Sequence, residues 1–359
     1  MKRILILTAG YGEGHNAAAR GVRDGLARVA PDAVVEMRDL FAEAYGTLHK
    51  TVREAYLALI NRWPRSWGIV YWWLDHKKDF DKNFARFTKL KDHLGRLLAS
   101  FQPDVVVSTF PAYPYVIEQI LGPNRVCKNI AVVTDSITVN AIWYRSWADY
   151  LLVPNEQSAE VVRTAGIAPE KMRTFGFPVS PQFADLVQHR QSPSQNNRRV
   201  LYVISSGTAK APALVRKLLD LNIDLTVTVG RNDQLRSAIE STVGDRKLDI
   251  VGWTNELPRM LCRSHLLISK AGGATVQETI AASCPMIINH VVSGQEQGNA
   301  RLIIETNSGA IALSNDEVVA QVERAFADDA KQWREWSTNI SKLSRPRASL
   351  DIAEFLLSI

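Results

Sequence analysis

Residues 4–15 read Ile4-Leu5-Ile6-Leu7-Thr8-Ala9-Gly10-Tyr11-Gly12-Glu13-Gly14-His15, and the fold class turns on them. A short apolar run behind Lys2 and Arg3 suits a strand buried on both faces, as in a parallel sheet. The glycines that follow let the backbone turn tightly and approach a ligand closely. The alanine-rich stretch Ala17–Val29 then reads as a helix. Arg3–Thr8 is therefore expected to be the first strand of an α/β unit. The alternation continues with strands at Ala33–Met37, Val105–Ser108 and Ile130–Thr134, and a long helical stretch from about Phe41 to Ser100. It restarts at Val200–Ile204 and proceeds through Asp224–Val229, Leu266–Ser269 and Met286–Asn289. Strands alternating with helices argue for two parallel sheets. The polar run Gln188–Arg199 reads as a linker. Residues 1–187 then form one Rossmann-like domain with a helical insert at about 41–100, and residues 200–345 form the second. Such sheets hold ligands at their strand carboxyl ends, here in a cleft between the two halves.

Composition narrows the class without choosing a partner. The 359 residues exceed what one hydrophobic core usually serves. Hydrophobic residues are 46% and charged ones 22%, ordinary for a soluble globular protein, and no apolar run approaches the ~20 residues needed to cross a bilayer. The opening run lacks a cleavage site and is read as a strand, not a signal peptide. Cys127, Cys262 and Cys284 have neither a disulfide-framework nor a metal-ligand spacing, so a reduced, cytoplasmic setting is expected. A net charge of +6 suits anionic partners: nucleic acid, acidic lipid or nucleotide phosphates.

The first glycine loop has two readings. One is a dinucleotide fingerprint, with Glu36 closing the second strand as the ribose acid. Against it, His15 holds the third glycine position. The other reading places His15 at a helix start, where a neutral imidazole can take a proton from an acceptor hydroxyl. A histidine that only hydrogen-bonds the loop remains the alternative.

The strongest local signal is Ser269-Lys270-Ala271-Gly272-Gly273-Ala274-Thr275-Val276-Gln277-Glu278. A strand meets a glycine pair, and a helix is expected to begin at Thr275. The amides around Gly273, Ala274 and Thr275 can hold a diphosphate at that helix start. Glu278, about one turn in, can accept from ribose hydroxyls. Its charge alone would also favour the helix start, which explains the glutamate but not the glycines. The loop Ser293-Gly294-Gln295-Glu296-Gln297-Gly298-Asn299 brings amides and carboxylates suited to sugar hydroxyls, or is a polar surface loop.

Taken together, the first loop with His15, Lys270–Glu278 and Gly294–Asn299 resemble the monogalactosyldiacylglycerol synthase and processive diacylglycerol glycosyltransferase family, a relative of the muramyl-lipid N-acetylglucosaminyltransferase. The order and spacing hold from Ile4 to about Asn307. The resemblance implies a GT-B fold, a UDP-sugar donor bound mainly by the second domain, and inversion at the anomeric carbon with no metal or other cofactor required. It implies that Gly272, Gly273, Ala274 and Thr275 hold the diphosphate, that Glu278 holds the ribose, and that Gln295 and Glu296 touch the donor sugar, with Asn299 in the same motif. Gly14 and Gly207 should approach the donor, and Gly252, Trp253 and Thr254 should contact the uracil. The C-terminal helix, residues 346–359, should pack back on the first domain. Val133-Thr134-Asp135 matches a strand-end Thr-Asp pair of the family. Trp143 follows as expected, but Asn140 stands where a histidine is expected. Asp135 is the second candidate for the base, or for the group that orients His15.

The insert carries Trp63, Trp67, Trp72 and Trp73 among Arg53, Arg62, Arg65, Lys77, Lys78 and Lys82. Tryptophans with basic neighbours suit an anionic headgroup region; a helix pair with inward tryptophans fits equally. The resemblance favours membrane contact, with Trp63, Trp67, Arg62, Arg65 and Trp143 on the acceptor and membrane side. The expectation is a peripheral protein at the inner face of the membrane, with a nucleotide-sugar donor, a lipid acceptor and an anionic surface as partners. No nucleic-acid-binding motif accompanies the cluster, and Asp79-Phe80-Asp81 is a chance D-x-D. A different lipid-linked or soluble acceptor, or a nucleotide-sugar-binding regulator without turnover, are the alternatives.

Overall fold

The computed structural model describes residues 1–10, 12–46, 87–122, 127–189, 191–292 and 296–359. Trp63, Trp67, Arg62 and Arg65, with the remaining basic and aromatic residues named for the insert, lie outside the described residues, as do Tyr11 and Gln295. The chain divides into two compact units. One comprises Met1–Pro181, Val292–Gly298 and Arg347–Ile359; the other comprises Gln182–Val291 and Asn299–Pro346.

The first unit is built on six parallel strands: β1 (Arg3–Thr8), β2 (Val34–Asp39), β3 (Val105–Ser108), β4 (Lys128–Val132), β5 (Tyr150–Leu152) and β6 (Met172–Arg173). Their spatial order is β2-β1-β3-β4-β5-β6. Ile4, Leu5, Ile6 and Leu7 are fully buried, because β1 pairs with β2 on one side and β3 on the other while helices cover both faces. The sheet reverses its order between β1 and β3, the kind of switch point at which such sheets bind ligands.

Two helices of this unit meet closely. The helix Glu13–Val29 packs against the C-terminal helix Ala348–Ser358. A Cβ on Gly25 would lie 2.2 Å from the Ser349 carbonyl oxygen, and one on Gly21 would lie 1.8 Å from that of Pro178. Both glycines are therefore required by close backbone approach. Phe355 of the C-terminal helix meets Tyr150 edge to face at 5.1 Å, with the Arg173 guanidinium over both rings.

The second unit repeats the plan with β7 (Arg199–Val203), β8 (Asp224–Gly230), β9 (Asp249–Gly252), β10 (Leu266–Lys270), β11 (Met286–His290) and β12 (Gly309–Ile311). Its order is β12-β11-β10-β7-β8-β9, all parallel, with the reversal between β7 and β10. The long helical run Asn315–Leu343 covers this sheet. It breaks at Ala327–Ala330, where Asp328, Asp329 and Ala330 adopt left-handed φ values. The described parts of the insert, residues 40–46 and Thr88–Phe101, are helical. Among the described residues no helix is long and apolar enough to cross a membrane.

Two local readings are corrected. The strand β2 runs on to Asp39, so Glu36 sits mid-strand and pairs with Arg38 at 3.2 Å. The strand-end acid is Asp39, whose carboxylate accepts from the amides of Gly10 (2.9 Å) and Ala42 (3.0 Å). That ties down the glycine loop, not a ribose. The helix expected from Thr275 begins at Gly273, with Gly272 as its extended N-cap, so Glu278 lies further into it than one turn.

Candidate active site

In the first unit the site assembles at the β1/β3 reversal. Gly12 caps the helix that follows β1, and His15 falls in that helix's first turn. Beside Gly14, where a Cβ would meet nothing within 4 Å, the helix start is open. The His15 Nδ1 lies 2.7 Å from the carbonyl oxygen of Thr109, just past β3, and 3.1 Å from Thr134 Oγ1, just past β4. A carbonyl oxygen can only accept, so the hydrogen-bond network assigns the proton to Nδ1. Nε2 is left with its lone pair, the state a general base requires. Phe110 meets the ring edge to face at 5.2 Å, and Trp143 lies 6.2 Å away.

Burial among these groups lowers the His15 pKa from 6.5 to about 4, against the Thr109 contact, which favours the charged form. The ring is therefore neutral at pH 7. The folded value is depressed, so the unfolded chain binds this proton first as pH falls. Stability present above about pH 6.5 is lost progressively towards pH 4. Between pH 7 and pH 5 this group should cost about 2 kcal/mol. Chemical denaturation at both pH values should show that dependence in the wild type and most of it removed in His15→Gln; parallel curves would mean that the ring titrates normally.

Asp135 has a different environment. Its Oδ2 accepts from the Trp143 indole Nε1 at 3.0 Å and from the Asn140 amide at 3.4 Å. Asn140 in turn caps the short helix Ala141–Tyr144, accepting from the Ile142 amide at 3.1 Å. Asparagine is among the best N-cap residues, which accounts for its presence where a histidine is expected. Trp143 is 1% exposed, so burial corrects its placement among membrane-facing residues: its ring packs 6.2 Å from that of His15.

In the second unit the corresponding place is the β7/β10 reversal. The helix Gly273–Ala281 starts there with no side-chain cap hydrogen bond. The first-turn amides of Gly273, Ala274 and Thr275 carry the positive end of the helix dipole. The loop before them is braced: Ala271 donates to the His290 carbonyl at 3.0 Å, and Asn299 Nδ2 donates to the Ala271 carbonyl at 3.1 Å. Asn299 is buried and thus shapes the loop with its amide. Glu278 is part-buried on the same helix. Gly207, at φ +66 in the loop after the neighbouring β7, accepts from the Lys210 amide to form the facing turn.

At the carboxyl end of β9, Gly252 leads to Trp253, which is 59% exposed with the Arg231 guanidinium 4.9 Å above its ring. A flat, cation-backed indole of this kind offers a face to a planar base. Thr254 turns inward to the chain, its hydroxyl accepting from the Glu256 amide at 3.0 Å. Glu296 is buried, and its carboxylate accepts from the Val292 amide at 3.0 Å, closing its own loop. Thr109, Phe110, Asp39 and Arg231 were not read as site residues from sequence. Thr109 acts at His15 through a backbone carbonyl, for which no side-chain pattern exists.

Comparison with known proteins agrees with this architecture. Residues 15–179 match the family described as monogalactosyldiacylglycerol (MGDG) synthase. The chain is 26% identical to the chloroplastic monogalactosyldiacylglycerol synthase of Spinacia oleracea, over 99% of this chain and 72% of that one. It is 27% identical to the processive diacylglycerol beta-glucosyltransferase of Bacillus subtilis (strain 168), over 99% and 95%. Among solved structures, MurG of Acinetobacter baumannii superposes with a TM-score of 0.63 at 12% identity, covering 100% of both chains. The UDP-GlcNAc 2-epimerase of Neisseria meningitidis bound to UDP-GlcNAc superposes with 0.61 at 13%, also over 100% of both. The fold is GT-B, and over nearly its whole length the chain resembles monogalactosyldiacylglycerol synthases and processive diacylglycerol glycosyltransferases.

Proposed function

We propose that the protein is an inverting glycosyltransferase that moves a hexose from a UDP-sugar to the hydroxyl of a diacylglycerol-type lipid. The names of its relatives point to the lipid and the transfer. The observation that carries the chemistry is His15: a neutral imidazole, held at Nδ1, with Nε2 available. In the reaction, the acceptor oxygen attacks the anomeric carbon while Nε2 takes its proton. The bond from that carbon to the diphosphate oxygen breaks, and UDP departs with the electron pair. A single displacement inverts the centre. The amides of Gly273, Ala274 and Thr275 stabilise the charge that develops on UDP, and being fixed by the helix they need not reorganise.

Glu278 is assigned to the ribose hydroxyls, and Gly207 and Gly14 to close backbone approach. Trp253, with Gly252 and Thr254, is assigned to the uracil. Gln295 and Glu296 are assigned to the donor sugar and Asn299 to the shape of the diphosphate loop. Asp135 holds Trp143 beside His15. The first domain serves the acceptor and the second the donor. The displacement as written requires no cofactor beyond the donor. The enzyme is assigned to the inner face of a membrane, where it would meet a lipid acceptor, with the basic, tryptophan-rich insert as its anionic-surface contact.

Mass spectrometry of diacylglycerol vesicles incubated with a panel of UDP-sugars should detect one glycolipid and name the sugar. Glu278→Ala should raise the donor KM about tenfold or more with kcat changed less, the pattern of lost ground-state binding. No glycolipid from any donor, with UDP binding intact, would reject the lipid acceptor.

A further inference from the structure

We propose that Thr134 is a positioning residue of the transfer reaction: with the Thr109 carbonyl, its hydroxyl clamps the His15 ring so that Nε2 faces the acceptor. The inference rests on the reading of His15 as the base. Three adjacent strands supply the parts, since β3 lies between β1 and β4 in the sheet. The helix after β1 carries His15, the residue after β3 offers its carbonyl, and Thr134 follows β4. Thr134 is 9% exposed, and its oxygen lies 3.1 Å from Nδ1. Thr109 uses its own hydroxyl differently, donating to the Leu7 carbonyl at 3.3 Å within the sheet. The two threonines thus divide the work: one hydroxyl serves the sheet, the other faces the imidazole.

The clamp acts most strongly when it is needed. At rest, Nδ1–H is shared between two oxygens. As Nε2 takes the acceptor's proton, the ring becomes an imidazolium, and Nδ1–H becomes a charge-assisted donor to the same oxygens. Hydrogen bonds that strengthen on the way to the transition state raise kcat and leave substrate affinity alone. A second oxygen on Nδ1 also restricts rotation about the ring axis, which a single carbonyl does not.

Valine matches threonine in shape and removes only the hydroxyl, so Thr134→Val tests the clamp with little disturbance of packing. Its kcat should fall about tenfold, with both KM values within about twofold. Thr134→Ser should retain most of the activity. Nitrogen-15 NMR of the resting protein should place the His15 proton on Nδ1. The Nδ1–H proton resonance should move upfield in Thr134→Val and not in Thr134→Ser. A proton on Nε2 in the wild type, an Nδ1–H resonance unmoved by valine, or a serine variant as impaired as the valine one would each overturn the clamp. The NMR measurement needs no turnover. Failure of the wild type to form glycolipid would therefore count against the proposed reaction, while the spectra decide the clamp independently.

Discussion

Replacing His15 with alanine is expected to lower kcat for sugar transfer by about 10³-fold, within the range of about 10²–10⁴ for loss of a positioned general base. UDP affinity should stay within about twofold, because the loop proposed to hold the diphosphate belongs to the second unit and owes its shape to Ala271, His290 and Asn299. The asymmetry matters more than the size. A ring that merely packed against Phe110 and bonded the Thr109 carbonyl would, on removal, reduce stability and leave the rate per folded molecule nearly intact. Activity should therefore be normalised to UDP-binding sites and compared with His15→Gln, which retains polar contact without a usable lone pair at Nε2. Both variants should be equally slow. Asp135→Asn supplies the contrast. The Asp135 carboxylate accepts from the Trp143 indole and the Asn140 amide, and an asparagine oxygen can still do so. The loss should be smaller than for His15→Ala. If Asp135→Asn were the more damaging change, the roles of the two residues would have to be exchanged.

How much of this was legible in the sequence depended on where each signal resides. Ile4–Leu7 announced a doubly buried strand because four apolar residues meet a glycine loop, and β1 and β3 occupy the expected residues. The strands β5, β6 and β12 escaped notice because they have two or three residues each, and β9, as short as β3, lacks its unbroken valine run. Over so few positions no periodicity separates a strand from a loop. The start of the helix at Gly273 was misplaced because glycine usually punctuates helices. Here Gly272 serves as an extended N-cap and Gly273 as the first helical residue.

The site shows the same division. Candidate residues with a distinctive side chain in a local pattern, such as His15 after a glycine loop or Glu278 after a glycine pair, could be picked out singly. What His15 bonds to could not, since Thr109 and Thr134 lie 94 and 119 residues away along the chain. They meet it only through the order β1-β3-β4, and one of them acts through its backbone. Asn140 shows the converse. It stood out as a departure from the expected histidine, whereas its cap on Ala141–Tyr144 keeps the Asp135–Trp143 arrangement in place.

A charge placed at the helix start of the second unit separates binding from folding most cleanly. Ala274 is the second residue of the helix Gly273–Ala281 and is part-buried. Aspartate in a first turn favours the helix by about 0.3–1 kcal/mol, because its charge opposes the dipole's positive end. Ala274→Asp should therefore unfold at the same temperature as the wild type or a higher one. A diphosphate bound at the same amides would meet a like charge some 4–5 Å away. At an effective dielectric of about 20 that repulsion is about 3–4 kcal/mol per charge pair before screening. UDP affinity should fall by more than about 100-fold, and high salt should restore part of it. The neutral relative Ala274→Asn has nearly the same volume as aspartate and should lose less than about tenfold, which isolates charge from bulk. Calorimetric titration with UDP, beside thermal unfolding of the same samples, reads both quantities. Stable Ala274→Asp protein that binds UDP as the wild type does would show that the nucleotide's phosphates sit elsewhere, and the donor assignments of Gly272, Gly273 and Thr275 would fall together.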